Sequence, residues 1–261
     1  MENNVEMENR PTPVSSFGRS LISLGIVCPM ANEAASAEAF VREVLSHCDG
    51  FEKVRMFVVL DRVSTDETRG ILEDVASTEP RLNVVWAPEN RCVVDAYIRG
   101  YQEALSAGCD WILEIDAGFS HSPSDLPGFF ERIDRGYDGI FGTRFGKGGS
   151  ISDTSLWRRI VSRGGTVLAN AMLGTRLTDM TSGFEMFTRD TLQMVLDRGI
   201  ESRGHFFQTE IKFHCRSLNI CEVPIHYTAA SARLSNAAVS EAFQQLWRLY
   251  LFKKRERYVK P

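Results

Sequence analysis

The chain has 261 residues, of which 43% are hydrophobic and 25% charged, a balance that folds around a core and excludes wholesale disorder. A formal net charge of -4, from 30 basic and 34 acidic residues, excludes an ordinary nucleic-acid binder, which needs a dominant basic surface. No run approaches the roughly 18 apolar residues that span a bilayer, and the acidic start, Met1 to Arg10, is unlike a secretory signal. Six cysteines (Cys28, Cys48, Cys92, Cys109, Cys215 and Cys221) show no CxxC pair or zinc-like spacing. They are expected as small buried hydrophobes of a reducing, cytoplasmic compartment.

Residues 1–19 are polar and without period, and read as a disordered leader. Leu21 to Cys28 is an apolar run closed by Pro29, which predicts a buried strand. Asn32 is then expected to cap a helix over Glu33 to His47. A second strand, Val54 to Leu60, ends at Asp61, and Ser64-Thr65-Asp66 opens the next helix. Leu82 to Trp86 and Val93 to Ala107 repeat the pattern, and Trp111 to Ile115 is a fourth strand ending at Asp116. Strands alternating with helices of this length predict an α/β fold whose mostly parallel sheet carries helices on both faces. Ligands of such sheets bind outside the carboxyl ends of the strands, where Asn32, Glu33, Asp61 and Asp116 all fall.

Further along, Gly139 to Arg144, Phe184 to Phe187 and Ile220 to Ile225 predict strands. Leu156 to Leu173, Arg189 to Leu196 and Phe206 to Ser217 predict helices. With no internal repeat or linker, residues 20–235 are taken as one domain. In residues 236–261, Val239, Phe243, Leu246, Trp247, Tyr250 and Leu251 form one helical stripe ahead of Lys253, Lys254, Arg255, Arg257 and Lys260. Such an amphipathic helix with a basic tail either lies on an anionic membrane surface or packs on the domain.

Carboxylates at strand ends can accept hydrogen bonds from a base or a ribose. Acidic residues holding a divalent cation, or cationic side chains, suit a diphosphate. With that chemistry in place, a collinear set of motifs becomes readable. Pro29…Asn32-Glu33 resembles P-x-x-N-E, Asp61…Ser64-Thr65-Asp66-Glu67-Thr68 resembles D-D-x-S-x-D-x-T, and Asp116 to Pro123 resembles D-A-D-L-Q-H-P-P. Gly142-Thr143-Arg144-Phe145 resembles G-S-R-Y, and Ser182-Gly183-Phe184 matches S-G-F. Phe207-Gln208-x-Glu210 and Glu222-Val223-Pro224-Ile225 match later blocks. Together they resemble the family 2 glycosyltransferases, and within them the polyprenyl-phosphate type typified by dolichol-phosphate mannose synthase.

The resemblance implies a GT-A fold and inverting transfer of a sugar from a GDP- or UDP-sugar, first of all to a polyprenyl phosphate. It implies nucleotide-sugar contacts at Pro29, Ala31, Glu33, Leu60, Asp61, Asp116 and Ala117. It also implies phosphate contacts at Arg144, Arg158 and Arg233, and a Mg or Mn ion at Asp116. Asp116 and Arg144 would carry the chemistry, with Asp179 as general base if the acceptor were a hydroxyl.

The departures fall in the phosphate site. Arg62 stands for the second Asp of D-D, Gly118 for the second Asp of D-x-D, and Ser120 for the following Gln. Two of three expected metal ligands are therefore missing. Glu114, on the same strand face as Asp116, is either a substitute ligand or a member of a buried ion pair. His121 reads as a turn or supporting residue. Two other readings stay open: a soluble glycosyltransferase acting on a small molecule, glycan or protein, and a catalytically weak nucleotide-sugar-binding protein.

Overall fold

A computed structural model describes residues 21–152, 156–228 and 236–259; the expected leader, Arg233 and Lys260 lie outside the described residues. The strands are β1 (Ser23–Pro29), β2 (Lys53–Leu60), β3 (Leu82–Trp86), β4 (Trp111–Glu114), β5 (Gly139–Thr143), β6 (Ser150–Ser152), β7 (Glu185–Thr188), β8 (Ile220–Pro224) and β9 (His226–Thr228). The helices are α1 (Ala37–Ser46), α2 (Thr68–Ala76), α3 (Val93–Ser106), α4 (Leu126–Phe130), α5 (Leu156–Leu173), α6 (Arg189–Arg198), α7 (Phe207–His214) and α8 (Asn236–Val259).

One sheet runs in the order β3-β2-β1-β4-β7-β5-β8, and β6 pairs with β9 in a small second one. Every neighbouring pair in the large sheet is parallel except those made by β7, which runs antiparallel to both β4 and β5. This is the mostly parallel α/β architecture expected.

Strand alternation assigns side chains to two cores. Ile26 and Cys28 face α1, α2 and α4 through Phe40, Val44, Leu72 and Phe129. Val27 between them faces α3, α6 and α7 through Tyr97, Tyr101, Leu192 and Ile211. The α3 side is packed closely: a Cβ at Gly100 would come within 2.3 Å of Val27, so only glycine lets α3 lie so near β1. Four cysteines are buried, and Cys92 and Cys221 are half-buried; all six are free thiols.

Several expectations are corrected. Helix α1 starts at Ala37 rather than Glu33, because residues 33–36 form a turn in which Ser36 and Ala37 N–H donate to Glu33 O. Asn32 caps nothing; it has φ 58 and turns its side chain away toward the loop after β2. The small β6–β9 sheet was not predicted, its three-residue strands being too short to show a period. The C-terminal stripe also divides. Leu246 and Leu249 bury against Ala169, Leu173 and Phe213, while Val239, Phe243, Trp247 and Leu251 stay exposed.

Candidate active site

Because β1 lies between β2 and β4 in parallel register, three carboxyl ends meet in one place: Glu33 follows β1, Asp61 follows β2 and Asp116 follows β4. Asn32 binds the first two loops together. Its Nδ2 donates to Val63 O (2.9 Å) and its Oδ1 accepts from Thr65 N–H (2.9 Å). Asparagine tolerates the left-handed backbone this needs. Asp66 adds a second tie, accepting from Ala34 N–H (3.1 Å) and from Thr68 N–H at the start of α2 (3.0 Å). Thr68 Oγ1 in turn accepts from Glu33 N–H (2.7 Å). Asp61 turns inward on its own loop, accepting from Val63 N–H (2.8 Å). Arg62, where the family pattern has an Asp, is exposed.

The Asp116 turn is the most constrained loop. Gly118 has φ 71 and Phe119 φ 59, two successive residues in a conformation that L side chains rarely adopt. The Phe119 ring makes an edge contact on Phe40 (5.2 Å) that offsets part of that cost. Below the turn, buried Tyr97 OH donates to Asp116 Oδ1. Burial, then the Asp116 charge, push the Tyr97 phenol well above its usual range, so it stays a donor. His121, 1% exposed, accepts at Nδ1 from Asp116 N–H (3.3 Å) and packs on Phe184 and Tyr227 (5.1 Å each). Burial holds its pKa below the ordinary value, which fits a neutral ring supporting the turn. The Asp116 side chain itself stays 44% exposed.

The facing wall is built on β5. Arg144, just past that strand, donates from Nε and Nη2 to the two oxygens of Asp179 (2.7 and 2.8 Å), and from Nη2 to Thr181 Oγ1 (2.6 Å). Its Nη1 has no hydrogen bond among the described residues. Its guanidinium stacks on Phe145 (5.4 Å) and Tyr227 (5.3 Å). Burial alone would raise the Asp179 pKa; the Arg144 hydrogen bonds and charge outweigh it and hold the group at about 2. A carboxylate so held is ionised and only weakly basic, and its two hydrogen bonds make it the clamp of Arg144. Glu222 fixes the clamp from behind, accepting from Thr178 N–H (2.8 Å) and Asp179 N–H (3.3 Å). Arg158 lies on α5, which borders this wall through Arg163, stacked on Phe145 (5.4 Å).

The comparisons with known proteins fit this geometry. Residues 25–196 match the sequence profile of glycosyl transferase family 2. The chain belongs to that family. Over 190 residues it is 32% identical to an undecaprenyl-phosphate mannosyltransferase of Micrococcus luteus, covering 71% of this chain and 78% of the relative. Over 239 residues it is 27% identical to a polyprenol monophosphomannose synthase of Mycolicibacterium smegmatis, covering 89% and 87%. Among solved structures it resembles glucosyl-3-phosphoglycerate synthase of Mycobacterium tuberculosis in complex with Mn2+, uridine diphosphate and glucosyl-3-phosphoglycerate. That likeness has a TM-score of 0.65 at 18% identity and covers 94% and 85% of the two chains. The fold is thus GT-A, and the protein is a glycosyltransferase.

Within the transferase, the Glu33 carboxylate lies against the Asp116 turn at Gly118, Asp61 closes the loop of the neighbouring strand, and Pro29, Ala31 and Ala117 are half-buried. Leu60 does not join them: its side chain is in the core. Nor does Glu114. It is 0% exposed and stands directly across the ladder from Glu185, itself ion-paired with Lys212, which donates to Ser182 O (2.7 Å). Burial, then the facing Glu185 charge, push the Glu114 pKa well above its usual range. Sealed there, Glu114 is a core carboxyl and supplies no ligand to the opening. Glu210 is likewise structural, paired with Arg248 and accepting from Ser202 N–H (2.8 Å). Sequence reasoning missed Tyr97 and Tyr227. Tyr97 sits on the buried stripe of α3 and carries no local mark of its polar task.

Among the described residues, no group of three or more His, Cys, Asp or Glu side chains could hold a metal alone. The Asp116 carboxylate, 44% exposed, nevertheless suits one ligand of a hard cation whose other ligands are diphosphate oxygens and water.

Removing one partner of the sealed Arg144–Asp179 pair strands a buried charge. Asp179→Ala is expected to lower the unfolding free energy by about 3–5 kcal/mol, read by urea denaturation, and to slow transfer with it. The Glu114 carboxyl, raised in the fold, gives stability that is full below its unfolded pKa and is lost as pH rises toward the folded value. The urea midpoint of the native protein should therefore fall from mildly acidic to alkaline pH, and that of Glu114→Gln should fall less. Parallel curves would exclude a protonated Glu114.

Proposed function

We propose that the transferase moves a sugar from a nucleotide-sugar to the phosphate of a polyprenyl phosphate, with inversion, at a membrane surface. The observation that carries this reading is the meeting of two unlike walls: carboxylates on the strand ends, and the clamped Arg144 facing them. The relatives named for undecaprenyl-phosphate and polyprenol mannosyl transfer support it, as does the solved neighbour holding uridine diphosphate.

In this reading Glu33 and Asp61 accept hydrogen bonds from the nucleoside, and the donor diphosphate lies over Asp116. The acceptor phosphate docks against Arg144, whose Nη1 remains available for it. Its ionised oxygen forms the new bond to the anomeric carbon from the side opposite the leaving group. The bond from that carbon to the diphosphate breaks, and the nucleoside diphosphate departs with the electron pair. Since the attacking oxygen carries no proton, no general base is needed, in keeping with both Asp179 oxygens being engaged by Arg144. Rate enhancement then comes from alignment and from charges fixed in advance. A Mg or Mn ion, where bound, would be held by Asp116 and would neutralise the leaving diphosphate; solved neighbours contain either metal.

The membrane element of the proposal rests on α5 and α8, which pack on each other. Each buries one face and leaves another apolar one exposed: Ile160 and Val167 on α5, Phe243 and Trp247 on α8. Exposed Arg159, Arg163 and Lys254 accompany them. Large apolar side chains beside cations suit an anionic lipid surface, where the rings enter the headgroup layer and the cations meet phosphates. No helix among the described residues is long and apolar enough to cross a membrane.

Asp116→Asn should reduce kcat by about 100-fold or more while leaving the thermal midpoint within a few degrees, measured with radiolabelled donor and polyprenyl phosphate. Turnover at the native rate would refute its role. In co-sedimentation with vesicles of anionic phospholipid, the native chain should pellet and a Phe243→Glu, Trp247→Glu double variant should stay in the supernatant. Equal pelleting of both would exclude this face as the contact.

A further inference from the structure

The two walls of the site rise from strands that are not neighbours. Asp116 follows β4 and Arg144 follows β5, and β7 lies between them in the sheet. With strands about 4.8 Å apart, the sheet alone leaves the two starting points roughly 10 Å from each other. In-line displacement allows far less latitude, because the attacking oxygen and the anomeric carbon must come within about 3.5 Å. Some contact outside the sheet has to fix the distance between the Asp116 turn and the Arg144 side chain.

Tyr227 on β9 touches both. Its ring lies 5.1 Å from that of His121, whose Nδ1 accepts the Asp116 N–H (3.3 Å). The Arg144 guanidinium stacks on the same ring at 5.3 Å. Among the described residues no other ring meets both groups: of the two, Phe184 meets only His121 and Phe145 only Arg144. The backbone repeats the connection. His121 and Tyr227 pair in an antiparallel bridge, Thr228 N–H donates to Ser120 O (2.9 Å), and Ser122 N–H donates to His226 O (3.4 Å). Just ahead of β9, Ile225 N–H donates to Thr143 O (3.0 Å), the residue before Arg144. The other edge of β9 is held by β6 in parallel register. A three-residue strand outside the main sheet is thus pinned on both sides, with its one aromatic ring between the walls.

We propose that Tyr227 is a positioning residue for the transfer: its ring, held between His121 and Arg144, sets the spacing between the donor-side turn and the acceptor-side arginine. It acts through those two side chains. A flat, rigid ring suits the task, since it fixes a separation in one direction and attracts the guanidinium over its face. The two walls then set how tightly each substrate is held, and the ring governs how well the bound pair is aligned. This inference rests on the donor and acceptor reading above.

The test is steady-state transfer by the full chain from radiolabelled UDP- and GDP-sugars to polyprenyl phosphate, each substrate varied in turn. Tyr227→Leu keeps an apolar side chain and loses the ring. It should lower kcat about 10- to 100-fold, the scale of a misplacement near 1 Å, with both KM values within about twofold of native. Tyr227→Phe, which keeps the ring, should hold kcat within about threefold. Tyr227→Trp, which keeps a flat face but changes its size, should lower kcat without raising either KM, and is read in place of Tyr227→Leu if thermal melting shows that variant unfolded. Native kcat in Tyr227→Leu overturns the inference, and so does a Tyr227→Phe variant as slow as Tyr227→Leu. A loss that lies in the KM of donor or acceptor also overturns it, since the ring would then be a substrate contact. These outcomes spare the donor and acceptor reading. That reading falls if the native chain transfers from neither class of donor to polyprenyl phosphate, and this inference falls with it.

Discussion

The site exists because β1 is hydrogen-bonded to β2 on one side and β4 on the other, all three running the same way. Parallel neighbours sit about 4.8 Å apart and finish at the same edge, so the loops that leave them cannot avoid one another. The carboxylates on those loops are then brought to one edge by strand register. What remains for side chains is to hold the loops still, and Asn32 and Asp66 do this by crossing from one loop to the next. Gly100 contributes at a distance, since α3 must lie close on β1 for Tyr97 to reach Asp116.

The other wall obeys a different economy of charge. Arg144 and Asp179 are almost sealed from water, and neither is tolerable there without the other. Glu222 and Thr143 extend the pair into a connected polar patch, with Thr143 Oγ1 lying 2.6 Å from Thr178 Oγ1. Such a patch costs flexibility but gives a cation whose direction is set before a ligand arrives, which is how fixed dipoles act on developing charge. One strand over, Glu114, Glu185 and Lys212 make a second sealed group that faces no solvent at all. Proximity in sequence to Asp116 says nothing of its role; two residues along a strand separate an open carboxylate from a closed one.

Much of the fold was legible because apolar strands and amphipathic helices carry strong periods. The strand over Leu82–Trp86 and the helix over Leu156–Leu173 fall where their patterns place them. The direction of β7 was not legible, since a short buried strand has the same composition whichever way it runs. The start of α1 was misjudged because an Asn before an acidic residue reads locally as a cap, whereas Asn32 is claimed by a loop 31 to 33 residues away. For the site, Glu33, Asp61 and Asp116 could be named from their positions after apolar runs. Asp179 could be singled out from sequence, but its bond to Arg144 could not, because the lowering of its pKa depends on an arginine 35 residues distant. Leu60 illustrates the limit of a motif: a matched letter next to a functional one can face the other way.

The reversed strand β7 has a bearing on how this molecule could have diversified. Lying between β4 and β5, it parts the sheet into a run of parallel strands that ends in the three acidic loops and a separate block that ends in Arg144. The backbone ladder is continuous across that seam, but the loops on its two sides come from different stretches of chain. Mutations that reshape what is received on the arginine side therefore leave the register of the acidic side untouched. A lineage built this way can keep its grip on one partner while exploring others, like a tool with a fixed handle and exchangeable heads.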